Sequence, residues 1–296
     1  MKKISSFLFI LILFLSLICC KNNSKPDISL KISPEDYPRV DGSTATIPLA
    51  IALRSAVTSE SKDVLELSTT HSKTTESFRS LQYDSADLLI VYSPSESVLN
   101  ELKYAGIDII MKPIGRDALV FFTNESNSID SLTQKQVQDI YMGNITNWKD
   151  VGGPDSKILA FQRDEESGSQ VLMQKLVMQE NKMVKPELEF MISEMGAIIE
   201  TVADYNNDKN ALGYSVYYYI SAFLNKDHKI KLLKANGVMP SNNTIKDGSY
   251  PYTQDFYAVI KSSEPESSET RKLFDFLVGE EGKKIITETG YVALDD

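Results

Sequence analysis

The chain contains the stretch Arg163-Asp164-Glu165-Glu166-Ser167-Gly168-Ser169 between an apolar run and a segment with helical spacing of apolar residues. Gly168 allows a backbone to approach a ligand closely, and Ser167 and Ser169 can cap a helix and donate hydrogen bonds. The free amides at a helix start attract negative charge, and Arg163 adds a planar fork of donors that matches an oxyanion. The stretch therefore predicts a strand-to-helix junction that binds an anion, with an ordinary helix cap and a surface arginine as the alternative.

The N-terminus has the pattern of a bacterial export signal. Two lysines precede an apolar run over residues 7–19, which is too short to span a membrane and is typical of a signal-peptide core. The run ends in a loose lipobox, so we expect a lipoprotein signal peptide at residues 1–20, lipidation of Cys20 and a polar tether at residues 21–26. Lipidation of Cys19 and a plain secretory cleavage are the alternatives.

Composition narrows the possible partners. The two cysteines of the chain are Cys19 and Cys20, so no disulfide and no thiolate metal site is available to the mature domain. The formal net charge of -10 at pH 7 argues against nucleic acid and anionic lipid as partners. A small anion remains possible, because salt screens surface charges beyond about 8 to 10 Å while amides and an arginine act at contact distance. We expect no cofactor and no metal.

Strand-like and helix-like segments alternate along the chain, which predicts an α/β fold. The predicted strands are residues 27–32, 64–68, 86–92, 118–123, 157–162, 213–218, 231–234 and 256–261. The predicted helices are residues 48–58, 74–81, 133–142, 169–180, 196–205 and 269–287. The length suits one large domain or two lobes.

Two other predicted junctions are similar to the first. Residues 41–48, DGSTATIP, form a Gly/Ser/Thr loop ending in a proline at the first helical turn, where its missing N–H costs nothing. Residues 71–75, HSKTT, follow the predicted strand that ends at Ser68 and open the next helix. In α/β sheets, ligands lie off the carboxyl ends of strands, where helix starts converge. The three junctions together favour one shared binding site.

Several short motifs occur together in a fixed order. They are GST at 42–44, QV at 136–137, IY at 140–141, ITNW at 145–148, VGGP at 151–154, Arg163, SGS at 167–169, LGY at 212–214, GVMPS at 237–241 and DGSYPY at 247–252. This set resembles the phosphate-binding proteins of bacterial ABC uptake systems. The likeness extends over nearly all of the mature chain.

The resemblance implies a two-lobed periplasmic-binding-protein fold of type II with the ligand cleft between the lobes. Lobe 1 would comprise residues 27–113 and 252–296, and lobe 2 residues 114–251. It implies a lipid-anchored, monomeric receptor in the cell envelope that binds inorganic phosphate and delivers it to the permease and ATPase of an ABC importer. The alternatives are an adhesive surface lipoprotein of the same fold and a receptor for sulfate, molybdate or tungstate.

The resemblance also implies the ligand-binding residues. They are Ser43, Thr44, Ala45, Thr46, Ile47, Ser72 and Tyr92 on one lobe, and Arg163, Ser167, Gly168 and Ser169 on the other. In the first loop, the donating hydroxyl could belong to Ser43, Thr44 or Thr46. Many family members carry an aspartate at the position of Tyr92, where it accepts the proton of hydrogen phosphate and repels sulfate. Asp87 and Asp164 are candidate substitutes for that carboxylate.

The sequence contains few candidate catalytic residues. The histidines are His71 and His228. His71 neighbours Ser72, but adjacent loop residues usually point apart and no orienting acid is evident. No His or Cys cluster has the spacing of metal ligands. We therefore expect a binding protein and not an enzyme.

Overall fold

The computed structural model describes residues 28–165, 167–187, 190–192, 195–203, 209–224 and 229–294. The predicted signal peptide, the candidate lipidation residue Cys20, the tether and His228 lie outside these residues. Within the described ranges, no helix has the length and apolar composition needed to cross a bilayer.

Strands and helices alternate along the described chain. The strands are β1 (Val40–Gly42), β2 (Leu88–Tyr92), β3 (Ile109–Asn124), β4 (Ser131–Leu132), β5 (Leu159–Ala160), β6 (Gln162–Arg163), β7 (Met191–Ile192), β8 (Ala211–Val216), β9 (Ile230–Leu232), β10 (Lys234–Ala235), β11 (Thr253–Lys261) and β12 (Val292–Ala293). The helices are α1 (Ile47–Thr58), α2 (Lys62–Ser68), α3 (Thr74–Gln82), α4 (Glu96–Tyr104), α5 (Gln134–Tyr141), α6 (Gly168–Leu172), α7 (Met195–Ala203), α8 (Tyr217–Leu224), α9 (Asn242–Lys246), α10 (Glu269–Val278) and α11 (Glu280–Thr289). Short 3-10 turns lie at Thr44–Thr46 and Trp148–Val151, and a π-helical segment, Met173–Met178, continues α6.

One mixed sheet holds most of the strands, and β3 is its long central member. Its order is β1-β2-β11-β3-β8-β5, with β9 and β12 also paired to β3. As far as Ala118, β3 pairs antiparallel with β11, and from Leu119 onward it pairs with β8. The strand therefore runs through both halves of the sheet and changes partners between these two residues.

The strand β2 is buried on both faces. All five of its residues are buried, as its continuous apolar sequence predicts. Leu88 and Ile90 face the main hydrophobic core, whereas Leu89 and Val91 face a second apolar cluster that includes Phe78 of α3. This double burial fixes the carboxyl end of β2, where Tyr92 lies.

The predicted strand at residues 64–68 is wrong, because this segment forms α2. Only Leu65 is buried there, and Val64 and Leu67 are 60% and 91% exposed, so the two-sided alternation of a strand is absent. The predicted strand at residues 27–32 is also wrong for its described part. Residues 28–32 follow the surface of α1 instead, and the Ile32 amide donates to the carbonyl of Val57 at 3.0 Å.

Three other elements have different bounds from those predicted. The helix at residues 269–287 is divided into α10 and α11 by Gly279, which has an extended backbone with φ -82° and ψ -178°. The helix at residues 169–180 passes from α6 into the π-helical segment, and the strand at residues 213–218 ends where α8 begins. Sequence analysis missed β1, β4, β7, β12, α4, α8, α9 and the first half of β3.

Candidate functional site

A small cavity is lined from both halves of the sheet. Its lining consists of Ser43, Thr44, Lys73, Thr74, Tyr92, Arg163, Ser167, Gly168, Ser169 and Val216. The cavity volume is about 10 Å³, which is far below the volume of about 300 Å³ at which pockets for drug-sized ligands begin. A volume of this size holds about one water molecule, so a ligand of a few heavy atoms fits only if the two walls move slightly apart, and a sugar or a peptide does not fit.

Residues at the end of β1 form the first wall of the cavity. A Cβ atom at Gly42 would lie 1.9 Å from the carbonyl oxygen of Ile90, so glycine allows this turn to pack against β2. Ser43 Oγ lies 2.7 Å from Thr74 Oγ1 and accepts a hydrogen bond from the Tyr92 amide at 3.1 Å. Ser43 thus joins β1, β2 and the start of α3.

Thr46 faces away from the cavity. Its Oγ1 lies 2.8 Å from the carbonyl oxygen of Ser43 and 2.6 Å from a carbonyl oxygen of β2, so the backbone uses its proton. Ala45, Thr46 and Ile47 are not among the lining residues, whereas Ser43 and Thr44 are. Of the alternatives for the first loop, the geometry favours Ser43 and Thr44.

The cavity wall contains Thr74 where the sequence prediction had Ser72. Ser72 is exposed, and both its amide, at 2.8 Å, and its hydroxyl donate to the carboxylate of Asp41. The helix α3 begins at Thr74, which is fully buried beside Ser43. Lys73 has a φ of 77°, a left-handed value that is rare outside glycine, and this turn separates the directions of its two neighbours.

Residues at the β6–α6 junction form the opposite wall. Arg163 is 3% exposed. Its Nε donates to the carbonyl of Ile192 at 2.8 Å, and its amide donates to Tyr214 Oη at 3.1 Å. Ser167 Oγ and Ser169 Oγ lie 3.0 Å apart. The guanidinium and two hydroxyls are therefore held in place before any ligand binds.

Gly168 brings the two walls together. A Cβ atom at this residue would lie only 2.5 Å from Thr74 Oγ1, closer than side chains can approach. Glycine at this position therefore allows the start of α6 to rest against the start of α3. The sequence prediction had assigned the close approach of this backbone to a ligand, and that remains a prediction.

The lining is cationic in an acidic chain. Among its described residues it includes Arg163 and Lys73 and no carboxylate. Lys73 Nζ lies 3.0 Å from Asp164, and this ion pair joins the two walls. Asp87 pairs instead with Arg39 at 2.5 Å. Neither of the two carboxylates considered as substitute acceptors lines the cavity.

A buried carboxylate that sequence analysis missed lies behind Tyr92. The Tyr92 hydroxyl donates to Asp117 Oδ2 at 2.7 Å, and both residues are buried. Asp117 Oδ1 accepts from the amides of Ala118 at 2.7 Å and Tyr218 at 3.1 Å. Burial raises the pKa of Asp117 to about 6, and it raises the pKa of Tyr92 well above its ordinary value. At neutral pH a neutral phenol therefore donates to a largely ionised carboxylate.

Because Asp117 is buried, we expect the substitution Asp117→Asn to raise the free energy of unfolding relative to wild type by an amount that increases with pH. A carboxyl group whose pKa rises on folding, here from 3.8 to about 6, stabilises the fold below the lower value and loses that contribution as the pH rises through the upper one. The free energy of unfolding of the variant minus that of wild type should therefore be larger at about pH 8 than at about pH 4, by about 3 kcal/mol at most. Denaturant unfolding at both pH values measures it. The exposed Asp130→Asn serves as control, and a pH-independent difference would contradict the assignment.

His71 supports the first loop from behind. Its Nδ1 lies 2.9 Å from the carbonyl oxygen of Ser43, so this nitrogen carries the donated proton. Burial lowers the pKa of His71, which keeps the ring neutral at neutral pH. The Ser72 hydroxyl engages Asp41 and not His71, so these neighbours do not form a nucleophile and base pair. Within the described residues, no group of His, Cys, Asp and Glu side chains could hold a metal ion.

The fold and the cavity define an α/β protein with a small cavity, lined by cations and hydroxyls, that is enclosed by two halves of the chain. A family model described as a PBP superfamily domain matches residues 32–281. The chain belongs to this superfamily, which confirms the resemblance drawn from the sequence motifs.

Relatives of known name are similar over much of the chain. The phosphate-binding protein PstS of Staphylococcus saprophyticus is 27% identical over 262 residues, which are 86% of this chain and 79% of that protein. The phosphate-binding protein PstS of Borreliella burgdorferi is 28% identical over 182 residues, which are 60% of this chain and 63% of that protein. The matched region thus spans less than two thirds of the Borreliella protein.

Solved structures are similar in fold. A phosphate ABC transporter substrate-binding protein from Clostridium perfringens, crystallised with bound phosphate, has a TM-score of 0.68 and 24% identity, covering 87% of this chain and 99% of that one. An ABC-type phosphate transport receptor from Vibrio cholerae has a TM-score of 0.65 and 22% identity, covering 86% and 99%. These likenesses confirm the predicted periplasmic-binding-protein fold of type II.

Proposed function

We propose that this protein binds inorganic phosphate outside the cytoplasmic membrane and delivers it to an ABC importer. The cavity is the observation that carries the proposal, because hydroxyls and cations converge there from both halves and no described lining residue is a carboxylate. A tetrahedral oxyanion needs donors on all sides, and this lining supplies them. The names of the PstS relatives and the phosphate-bound structure from Clostridium perfringens support this choice of ligand.

The proposed mechanism is capture without chemistry. Charge-assisted hydrogen bonds contribute about 1.5 to 3 kcal/mol each. A few of them provide the 8 kcal/mol or so of micromolar binding after the ordering costs. The lobes would be residues 27–113 with 252–296 and residues 114–251, and the change of partners in β3 near this boundary supports the division. Closure of the lobes would then signal occupancy to the permease.

We infer that a lipid on Cys20 anchors a monomeric receptor to the membrane. The first described residues lie against the body of the protein, and the Ser29 amide donates to Glu281 in the first turn of α11 at 2.9 Å. The tether would therefore leave the protein near the start of α11. Labelling of cells with a radioactive fatty acid tests the anchor, since Cys20→Ser should remove the label and Cys19→Ser should retain it.

Isothermal titration calorimetry of the protein without its signal peptide tests the ligand. We expect saturable micromolar or tighter binding of phosphate, with weaker binding of sulfate. Absence of phosphate binding at high protein concentration would overturn the proposal. Preferred binding of sulfate, molybdate or tungstate would support the sibling-receptor alternative instead.

The two hydroxyls near the start of α3 give a matched pair of variants. We expect Thr74→Ala to weaken phosphate binding by about tenfold or more, since it removes a buried lining hydroxyl. Ser72→Ala should change the affinity less than about threefold, because the Ser72 hydroxyl is exposed and bound to Asp41. Calorimetry on both variants decides between them, and a larger loss in Ser72→Ala would reinstate the sequence-based assignment.

A further inference from the structure

We propose that the ion pair between Lys73 and Asp164 stabilises the closed arrangement of the protein, in which the two walls enclose the cavity, and thereby tightens the binding of an anion there. The inference rests on the proposed function, because it concerns the ligand of the same cavity. It gives Asp164 a role other than that of an acceptor for the ligand. Asp164 is a positioning residue, since it acts through the contact between the two walls.

The ion pair joins two parts of the chain that are distant in sequence. Lys73 belongs to the wall that contains Ser43, and Asp164 follows Arg163 of the opposite wall. Lys73 Nζ lies 3.0 Å from Asp164 Oδ2, and the two residues are 91 positions apart. Movement of the walls away from each other would therefore break the pair.

Each partner is fixed to the wall on its own side. The carbonyl of Lys73 accepts a hydrogen bond from the Ser77 amide at 3.0 Å, in the first turn of α3. The carbonyl of Asp164 accepts one from the Ser167 amide at 3.1 Å, just before α6. The attraction between the two side chains therefore acts directly on the segments that carry the cavity lining.

The carboxylate of Asp164 depends on this lysine. Its Oδ2 accepts from Lys73, whereas its Oδ1 is buried and accepts no hydrogen bond from the described residues. The side chains of Lys73 and Asp164 are 29% and 19% exposed, so solvent screens their attraction less than that of a fully exposed pair. Removal of either charge would leave the other one partly buried without its partner, which destabilises the closed arrangement.

The backbone of Lys73 has a conformation that is unusual for lysine. Its φ of 77° and ψ of 169° lie in a region that glycine almost alone adopts. Residues persist in such conformations where surrounding contacts hold them, and they concentrate at ligand clamps and switches. A glycine would fit this turn with less strain, which points to a functional role for the lysine side chain.

Two roles of Lys73 make opposite predictions for Asp164. If the ammonium acts only by attracting the anion, removal of the neighbouring negative charge in Asp164→Asn should leave phosphate affinity unchanged or strengthen it. If the ion pair holds the walls together, Asp164→Asn should weaken phosphate binding although it makes the surroundings of the cavity less negative.

Calorimetry with phosphate tests the proposal on wild type, on both single variants and on the double variant. We expect Lys73→Met and Asp164→Asn each to weaken binding by about threefold to tenfold. The double variant should lose little more than either single variant, because both substitutions remove the same interaction. Unchanged or higher affinity in folded Asp164→Asn would overturn the proposal.

A second ion pair provides the matched control. Lys231 and Asp130 form an ion pair at 2.6 Å, but both residues lie within residues 114–251 and neither lines the cavity. Lys231→Met and Asp130→Asn should therefore keep the wild-type affinity. A loss in these controls equal to that in Asp164→Asn would mean that the effect is one of overall charge, and the proposal would fail.

A distance measurement separates this inference from the proposed function. Leu99 and Glu180 are exposed and line the groove between the two halves, one residue from each half, and a chain that begins after Cys20 has no cysteine. Spin labels on Leu99→Cys and Glu180→Cys therefore report how far apart the walls are. If wild type binds no phosphate, the proposed function fails, and double electron–electron resonance without ligand decides on the ion pair. A larger share of short distances in wild type than in Asp164→Asn would support it, and identical distributions would overturn it.

Discussion

Replacing Arg163 with alanine is expected to weaken phosphate binding by about a hundredfold or more. Arg163 is 3% exposed and lines the cavity, so we expect its charge-assisted bonds to an oxyanion to form away from water. Two such bonds at about 1.5 to 3 kcal/mol each account for a loss of this size. Calorimetry with phosphate measures the affinity.

Two further arginine variants make the result specific. Arg163→Lys keeps the charge and loses the planar fork, so we expect a loss smaller than that of Arg163→Ala but still about tenfold. Arg116→Ala removes a partly buried arginine that pairs with Asp255 at 2.8 Å and does not line the cavity, and its affinity should stay near wild type. Unchanged affinity in folded Arg163→Ala would remove Arg163 from the site.

The substitution Gly168→Ala should reduce phosphate affinity by about tenfold to a hundredfold. The added Cβ atom would lie 2.5 Å from Thr74 Oγ1, so the starts of α6 and α3 would have to separate. Overpacking of this kind costs about 1 to 3 kcal/mol. It would destabilise the state in which the starts of α6 and α3 are in contact, and this lowers the affinity. Calorimetry with phosphate and a thermal melt without ligand measure affinity and stability separately.

A double-mutant cycle shows whether the clash is the cause. Thr74→Ala removes the atom that the new Cβ atom would meet, so adding Gly168→Ala to that variant should cost less affinity than adding it to wild type. Equal losses in both backgrounds would mean that Gly168 acts through its backbone and not through its approach to Thr74.

Local patterns predicted the elements that carry the site. The helices α1 and α3 begin within one residue of their predicted starts, since Pro48 and the Thr/Ser-rich segment before Phe78 are local signals. The pattern of Arg163 with Ser167, Gly168 and Ser169 likewise predicted one wall of the cavity, because all its members lie within seven consecutive residues. These features depend on neighbours in sequence, which the sequence displays directly.

Features that depend on distant parts of the chain were not predictable. The first half of β3 contains Pro113 and charged residues and has no strand pattern, yet it pairs with β11, and the register shifts opposite this proline between Phe256 and Tyr257. Asp117 lies in this half, 25 residues from Tyr92, so no spacing rule joins them. The positive φ of Lys73 was not predictable either, because no residue next to it in the sequence indicates such a backbone conformation.

The contact between Gly168 and Thr74 has a kinetic consequence. Ser43, Arg163 and Ser169 are nearly inaccessible to solvent, so an ion among them has no exit while the two halves touch. The residence time of a bound ion is then limited by how often the two halves separate. The strength of individual hydrogen bonds changes the residence time only by changing how often this separation occurs. If the protein has the proposed function, release of phosphate therefore depends on whatever separates the two halves, and a receptor that binds tightly can still release phosphate quickly when the permease separates them.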